Sequence, residues 1–440
     1  MKINSLFFLT LILTCPYYQC YSTYNFAMVI DSKTEDILVN TLVDELMEET
    51  PQVYEIKDST GQCAGFDLKT KDLLLYVNPI DKSEVHLNLV PDSSDLFGKA
   101  SKVSLGGKGE LRATLKWLKK DFKFTISVEV EDIGISIPVI ISATRSGQVK
   151  IHVPKNDLRL LVSEADVKVK IKGGLLGEVI NFVANLLKGL VVYEIKRQIE
   201  LHLPRGITSV LGHFMKKFDL EQEFDENLNM HFYFNEFYNL NTSYQRILGT
   251  GAIEGESELT KSDCQAEALP IDLSQLAENE CKKGIIMMLN RCYFQSVIDA
   301  VYESHPIVMT LSDSTQKEMT CTLTSKPEIS LKEDVGFSGS AECRSTELKE
   351  EIISLDFEMR GRFRLENPWL AYEVNDLVVD NMNPNQIQMT PQNKMAFMKR
   401  INNALKKQRI PILSHAYFQI LNPEVYVNNG FLQICTDTDI

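Results

Sequence analysis

A long apolar segment follows a block of alternating sequence, and it restricts the fold of this chain more than any other feature. The segment runs from Gly173 to Arg205 and reads GGLLGEVINFVANLLKGLVVYEIKRQIELHLPR. Wound as a helix, its apolar side chains cover more of the circumference than the stripe of about 100° on an ordinary surface helix. Something apolar must therefore cover it on several sides. Two interpretations follow: a helix buried in its own core, and a helix that contacts lipid.

The segment does not resemble a transmembrane helix, because polar residues recur inside it, namely Glu178, Asn181, Asn185 and Lys188. The start of the chain has a different character. Lys2 precedes a short apolar run at 6–14, and Cys20-Tyr21-Ser22 has the small-x-small pattern of a signal cleavage site. The run is too short to span a bilayer. We therefore predict a signal peptide at 1–22 and a secreted, extracellular protein.

Apolar residues recur at every second position from about residue 65 to 172, which is typical of strands with one buried face. The alternation is clearest at Phe122–Val130 and at Ile133–Ile141. Candidate turns separate the runs at Pro79, Pro91-Asp92, Gly106-Gly107, Gly134 and Ser146-Gly147. The pattern predicts an antiparallel meander of long strands that packs one face against the helix.

The remaining segments repeat this order of elements. An amphipathic helix is expected over 32–49, and a short helix around Gln295–Tyr302 between two strands. Strands then continue to residue 380, a helix follows at Gln392–Lys407, and two strands close the chain at Tyr417–Leu421 and Glu424–Cys435. Each half thus has a short helix, a curved antiparallel sheet, a longer helix and returning strands. Such a sheet around an apolar helix leaves an apolar gap, which suits apolar ligands.

The number and positions of the cysteines are typical of a secreted protein with disulfides. Seven follow the signal segment, and six of them lie after residue 260, so we expect the second half to hold the disulfides. Cys321 and Cys343 lie in two strand-like runs separated by a turn-rich stretch, and we favour that pair. Cys264–Cys281 is a further possibility. No cysteine or histidine spacing indicates zinc, and we expect neither a metal nor a cofactor.

Charge and motifs exclude several classes of function. The formal net charge of −14 argues against a nucleic-acid partner. The charge is uneven, since residues 99–172 contain 15 Lys and Arg against 8 Asp and Glu. No GxSxG, P-loop or HExxH motif is present, and the seven histidines are scattered. We therefore expect that the protein is not an enzyme.

Four runs resemble the family of bactericidal/permeability-increasing protein, lipopolysaccharide-binding protein and the plasma lipid transfer proteins. The first resembles the family's lysine-and-tryptophan hairpin, the second its strand and long helix, the third the entry to its second barrel, and the fourth its last helix and closing strands. In this order the runs are Gly109–Ile141, Val167–Ile199, Met287–Leu311 and Ile401–Ile434. Their order and spacing cover most of the mature chain.

The resemblance implies an α+β fold of two tapered barrels, each a twisted antiparallel sheet wrapped on a long helix, joined by a central sheet in a boomerang shape. The implied division is an N-terminal lipid-binding barrel at 23–225, a linker and central sheet at 226–270, and a C-terminal lipid-binding barrel at 271–440. Family members commonly join the first barrel's sheet to the end of its helix by a disulfide. The corresponding stretches here, VKIHVPKNDL and KRQIELHLPR, contain no cysteine, so we expect that barrel to be looser or to be held by packing alone.

The resemblance also implies a ligand, a phospholipid or another apolar lipid held between helix and sheet. The implied lipid contacts are Leu176, Ile180, Val183 and Leu187 on the helix and Phe124, Ile126 and Val128 on the sheet. Burial of each CH₂ group contributes about 0.8 kcal/mol, so a dry gap extracts lipid without catalysis. Asn241 begins the only N-glycosylation sequon, Asn-Thr-Ser.

An alternative function is recognition of lipopolysaccharide or of anionic membrane surfaces in innate immunity. It rests on the hairpin tip, the segment Lys116–Lys123, where the residues expected to bind headgroups are Lys116, Trp117, Lys119, Lys120 and Lys123. Lysines beside an interfacial tryptophan suit an anionic lipid surface. The simpler interpretation is a solvated hairpin without a specific ligand.

Overall fold

The structure is a computed structural model of the 440-residue chain. The signal segment, Leu176 and Asn241 lie outside the described residues, and so do Trp117 and Lys119. Of the helix expected over 32–49, positions 43–45 and 47–48 are described and are helical. The structure describes residues 24–31, 43–45, 47–48, 53–56, 60–63, 66–116, 120–144, 148–172, 177–225, 228–239, 244–254, 284–304, 308–312, 318–345, 352–366, 369–380, 391–405, 409–415, 419–428 and 430–439.

Three long helices and 25 strands are defined within these residues. The helices are α1 (Gly177–Met215), α2 (Arg291–Ser304) and α3 (Pro391–Leu405). The strands are β1 (Phe26–Asp31), β2 (Val53–Ile56), β3 (Thr60–Cys63), β4 (Phe66–Val77), β5 (Val85–Leu89), β6 (Asp95–Leu115), β7 (Lys120–Ala143), β8 (Val149–His152), β9 (Arg159–Leu161), β10 (Val167–Lys172), β11 (Phe218–Asp219), β12 (Glu221–Asp225), β13 (Leu228–Asn239), β14 (Tyr244–Glu254), β15 (Ile285–Asn290), β16 (Val308–Ser312), β17 (Glu318–Leu323), β18 (Glu328–Leu331), β19 (Val335–Ser345), β20 (Ile352–Glu366), β21 (Trp369–Asp380), β22 (Arg409–Pro411), β23 (Ser414–His415), β24 (Gln419–Asn428) and β25 (Phe431–Asp439).

The N-terminal sheet comprises β2 to β10, all paired antiparallel, with the central order β10-β7-β6-β4-β2. Its inward residues pack against α1 in one buried cluster. That cluster includes Leu73 on β4, Ile126 on β7 and Val167 on β10, with Val183 and Leu187 from the helix. The predicted meander on a long apolar helix is confirmed in this half of the chain.

The strands of this sheet are longer than the sequence pattern predicts. The pattern places a turn at Gly134, yet the two alternating runs form the single strand β7 of 24 residues. A bulge offsets the register there, and Lys102 and Asp132 absorb it with φ values of 53° and 59°. The turn expected at Gly106-Gly107 is also wrong, because both residues lie inside β6. A Cβ at position 106 would come 2.2 Å from the ring of Tyr76. Glycine at this position leaves room for that ring beside the strand.

Helix α1 extends beyond the segment expected from the sequence, since it continues past Arg205 to Met215. Its 39 residues correspond to a length of about 58 Å. Pro204 lies inside it without ending it. Thr208 Oγ1 donates a hydrogen bond of 2.8 Å to the Pro204 carbonyl, whereas the carbonyl that loses its N–H donor because of the proline is that of Glu200. Among the described residues, no helix is long and apolar enough to cross a membrane.

The C-terminal sheet comprises β16 to β22, with the order β16-β17-β19-β20-β21-β22 and β18 beside β19. The predicted disulfide joins Cys321 to Cys343, which face each other on β17 and β19. Cys292 and Cys435 each take part in a further disulfide. The boundary between the two closing strands differs from the prediction, which places it near Pro423. A bulge at Asn422, with φ 46°, carries β24 through the proline, and the chain turns at Gly430, with φ 92°.

A central sheet contains strands from both halves of the chain, in the order β12-β13-β14-β1-β15-β25-β24. Strand β1 pairs with β14 on one side and with β15 on the other, so the two halves share a continuous set of backbone hydrogen bonds. One large buried cluster extends from Phe26 to Ile434 across this sheet. The α+β class with curled antiparallel sheets is therefore confirmed. The two-barrel arrangement and the domain boundaries stay predictions.

Candidate functional site

The expected lipid contacts lie in packed regions of the N-terminal half. Val183 and Leu187 are 1% and 0% exposed, and Phe124, Ile126 and Val128 are 4%, 0% and 1% exposed. All five belong to the cluster between α1 and the sheet. Ile180 lies on α1, and its side chain is outside the described set. The structure thus brings the described residues together, and their own side chains fill the space between them.

An apolar cavity lies further along the same interface. Its volume is about 90 Å³, the room of roughly three waters at about 30 Å³ each. The floor consists of buried apolar side chains from the sheet and from α1. These are Leu75, Val103, Leu105, Ile133 and Ile195. The N-terminal half therefore keeps an apolar gap, although this gap is smaller than the ~300 Å³ or more typical of ligand pockets.

Polar groups lie at the rim of this apolar cavity. Gln198 and His202, both half-buried, line it one helical turn apart on α1. Tyr54 lines it from β2, and its ring centroid lies 5.8 Å from that of His202. Burial raises the pKa of the Tyr54 hydroxyl, so this hydroxyl stays protonated at neutral pH and able to donate a hydrogen bond.

The neighbouring turn of α1 carries a buried carboxylate with its own partners. Glu194 is 6% exposed and accepts a hydrogen bond of 3.0 Å from Arg197 Nε. Gln198 Nε2 donates to the same carboxylate over 2.6 Å. Arg197 Nη2 donates to this carboxylate as well, so donors from two side chains surround Glu194, as a buried charge requires. The amide nitrogen of Gln198 is thereby held against Glu194, while its side chain lines the cavity.

A groove of about 800 Å³ lies on the adjacent side of α1, against β8 and the turn after it. Its apolar lining includes Ile151, Val153 and Pro204, and its exposed lining includes Arg205 and Asp157. The groove lies between the stretches VKIHVPKNDL and KRQIELHLPR, which correspond to those that a disulfide commonly joins in the family that the sequence resembles. Neither stretch contains a cysteine, so no disulfide joins one to the other.

The hairpin tip is partly described. Lys116 is exposed and forms an ion pair of 3.2 Å with Asp67, an exposed pair that contributes about 0–1 kcal/mol. The side chain of Lys120 lies outside the described set, whereas Lys123 is exposed and forms no ion pair with any described residue.

A cation row crosses three strands beside the tip. Lys69, Arg112 and Lys123 are directly opposite one another on β4, β6 and β7. Like charges in directly opposed positions repel, which destabilises a sheet unless an anion lies between them. Arg112 Nε is buried and has no hydrogen-bond partner within the described chain. Glu110 on β6 forms an ion pair of 3.8 Å with Arg112, so a carboxylate of the chain itself already lies beside the row.

Sequence patterns alone miss the rim residues and the groove. Gln198, His202 and Arg205 follow one another at i, i+4 and i+7, a polar stripe on a helix that is otherwise mostly apolar. That signal is present in the sequence, but the width of the apolar face hides it. Within the described ranges, no group of three His, Cys, Asp or Glu could hold a metal ion.

Comparisons with known proteins connect this chain to one fold. No protein-family model matches the chain, and no curated protein matches it in sequence. The crystal structure of lipopolysaccharide binding protein is similar to it with a TM-score of 0.58 and 12% identity, over 94% of this chain and 99% of that one. At this identity the likeness shows the fold alone, the tubular fold that the four runs predict.

Two other solved structures align with lower scores. P47 from Clostridium botulinum A2 covers 95% of this chain and 98% of its own, with 9% identity and a TM-score of 0.33. Takeout 1 from Epiphyas postvittana covers 42% of this chain and 90% of its own, with 13% identity and a TM-score of 0.26. Scores this low add nothing to the assignment of the fold.

Proposed function

We propose that this protein is a secreted lipid-binding protein, not an enzyme, that holds a phospholipid or another apolar lipid between helix and sheet. The observation that carries the proposal is the apolar cavity between α1 and the N-terminal sheet. It lies within a fold similar to that of lipopolysaccharide binding protein. The driving force is removal of acyl chains from water, at about 0.8 kcal/mol for each CH₂.

The size of the cavity sets a condition on this function. About 90 Å³ accommodates only the end of a chain, so loading a whole lipid requires α1 and the sheet to separate further. The groove beside Pro204 opens this edge of the interface, and no disulfide joins the two stretches that flank it. Lipid is therefore expected to enter beside the second half of α1.

The decisive experiment is mass spectrometry of lipids extracted from the purified, secreted protein, with a native mass spectrum of the same sample. One or two lipids for each chain are expected. Ile199→Trp places a large ring at the half-buried mouth of the cavity and should lower the lipid content. Tyr193→Trp, at a position 67% exposed on the same helix, is the matched control. A wild-type protein free of lipid would contradict the proposal.

A second candidate function is capture of anionic headgroups, such as those of lipopolysaccharide, at the hairpin tip. The cation row favours it, because Arg112 and Lys123 lie directly opposite each other on neighbouring strands, and Glu110 offsets only part of their charge. Charge reversal of both to Glu should abolish binding to anionic vesicles and leave the extracted lipid unchanged. Arg362→Glu with Arg364→Glu, on the C-terminal sheet, is the control for the change in net charge.

A further inference from the structure

The polar stripe of α1, formed by Gln198, His202 and Arg205, lies where the apolar cavity and the groove approach each other along the helix. Gln198 and His202 line the apolar cavity, whereas Arg205 lines the groove. Residues three and four apart on a helix are neighbours, with about 5–6 Å between their Cβ atoms. A ligand whose chain occupied the cavity would therefore place its polar end beside all three side chains.

The charges along α1 distinguish Arg205 from its neighbours. Arg197, two turns earlier, is paired with Glu194. Arg205 is exposed and forms no ion pair with any described residue. The carboxylate of Asp157 also lines the groove, but it does not lie within ion-pair distance of Arg205. The guanidinium is thus available for an anionic ligand, and guanidinium geometry suits both carboxylate and phosphate oxygens.

We propose that the polar stripe binds the anionic end of a single-chain lipid, a carboxylate or a phosphate monoester, whose chain extends into the apolar cavity. Arg205 provides the charge, and His202 with Tyr54 provides hydrogen-bonding groups at the rim. A cavity of about 90 Å³ admits the end of one chain rather than two. The proposal rests on the proposed function and specifies the ligand class for the same interface.

The test uses the full-length secreted protein after delipidation, with three single-chain probes below their micellar concentrations. The probes are tetradecanoic acid, tetradecyl phosphate and the uncharged tetradecanol, each titrated by calorimetry. The variants are Arg205→Gln and His202→Leu. The matched control is Lys196→Gln, which removes an exposed cation from the same helix at a position that lines neither cavity.

The wild-type protein should bind the acid or the phosphate at least about tenfold more tightly than the alcohol, because a charge-assisted hydrogen bond adds to burial of the chain. Whichever anion binds more tightly identifies the head. Arg205→Gln should remove that difference and leave alcohol binding within about twofold. His202→Leu should weaken all three probes, and Lys196→Gln should weaken none.

Equal wild-type affinity for acid, phosphate and alcohol would overturn the inference. Equal loss in Arg205→Gln and Lys196→Gln would overturn it as well. A protein that binds no single-chain probe, yet is purified with a two-chain phospholipid, would refute the inference and leave the proposed function intact. A protein that binds no probe and is purified without lipid would refute both.

Discussion

At the scale of single residues, Asn402 shows how one side chain stabilises an irregular strand. The register of β20 and β21 shifts between Arg360 and Gly361, which leaves an extra residue in β21 next to Val374. Asn402 on α3 accepts a hydrogen bond of 2.7 Å from the Val374 N–H and donates one of 3.0 Å to the Val374 carbonyl. The amide thus fastens α3 to the sheet at the bulge.

Replacing Asn402 by Ala should lower the free energy of unfolding by about 1–3 kcal/mol, because it leaves backbone groups of Val374 without their partner. Asn403→Ala is the matched control, since Asn403 is exposed on the same helix and the change in helix propensity is the same. Urea unfolding followed by circular dichroism measures both. Equal midpoints and slopes for the two variants would show that the amide does not stabilise the bulge.

Two glycines should respond to alanine in opposite directions. A Cβ at Gly361 would lie 2.1 Å from the Glu373 carbonyl oxygen, a backbone atom that cannot move without disturbing β21. Gly361→Ala should therefore destabilise the protein by at least about 1–3 kcal/mol. At Gly212, within α1, nothing lies within 4 Å of the new Cβ, so Gly212→Ala should stabilise by about 0.5–1 kcal/mol. Thermal unfolding of both variants checks the signs, and a shift in the same direction would mean that the space around the new Cβ does not decide the outcome.

At the scale of elements, α1 carries two kinds of apolar residue: some are buried against the N-terminal sheet, and others are exposed to solvent. Leu187 is fully buried against the N-terminal sheet, whereas Tyr193 is 67% exposed. Leu187→Ala should cost about 2–5 kcal/mol, from the lost apolar contact and the cavity that remains. Tyr193→Ala should change stability by less than about 0.5 kcal/mol. Denaturant unfolding measures both, and a small cost at Leu187 would mean that the gap around it collapses easily.

The sequence predicts the type of these elements better than their ends. Period-two alternation identifies β7, because burial of one face requires it. It does not reveal that a bulge at Asp132 carries the strand onward, since a bulge and a turn use the same short polar residues. Pro204 likewise resembles a helix end in sequence, yet α1 continues past it to Met215.

At the scale of the whole molecule, the candidate site is only partly predictable. The pattern places Val183, Leu187, Ile126 and Val128 at the interface of helix and sheet, where the structure has them. Which part of that interface stays empty depends on how side chains from separate strands fill it. The cavity beside Ile195 results from packing of β2, β4, β6 and β7 against α1, and periodicity within one element carries no information about that.

The strand pairing in the central sheet predicts that the N-terminal and C-terminal parts of the chain unfold cooperatively. Ile434 on β25 is fully buried in the cluster that also contains Phe26 and Ile247, and β1 links β15 to β14 through backbone pairing. A defect at this position in the C-terminal part of the chain should therefore reach strands of the N-terminal part. Ile434→Asn buries an unpartnered amide, which costs several kcal/mol. Ile352→Asn, at a strand position 50% exposed, is the control.

Hydrogen exchange followed by mass spectrometry distinguishes a shared unit from two independent ones. If the central sheet unfolds as one unit, Ile434→Asn should speed exchange in β14 and β1 as much as in β15 and β24, because all four lose protection in the same opening. Faster exchange confined to β24, β25 and β15 would instead mean that β1 can separate from β15 while β14 stays folded. In that case β1 and β14 would open independently of the C-terminal strands, and the central sheet would contain two separate unfolding units.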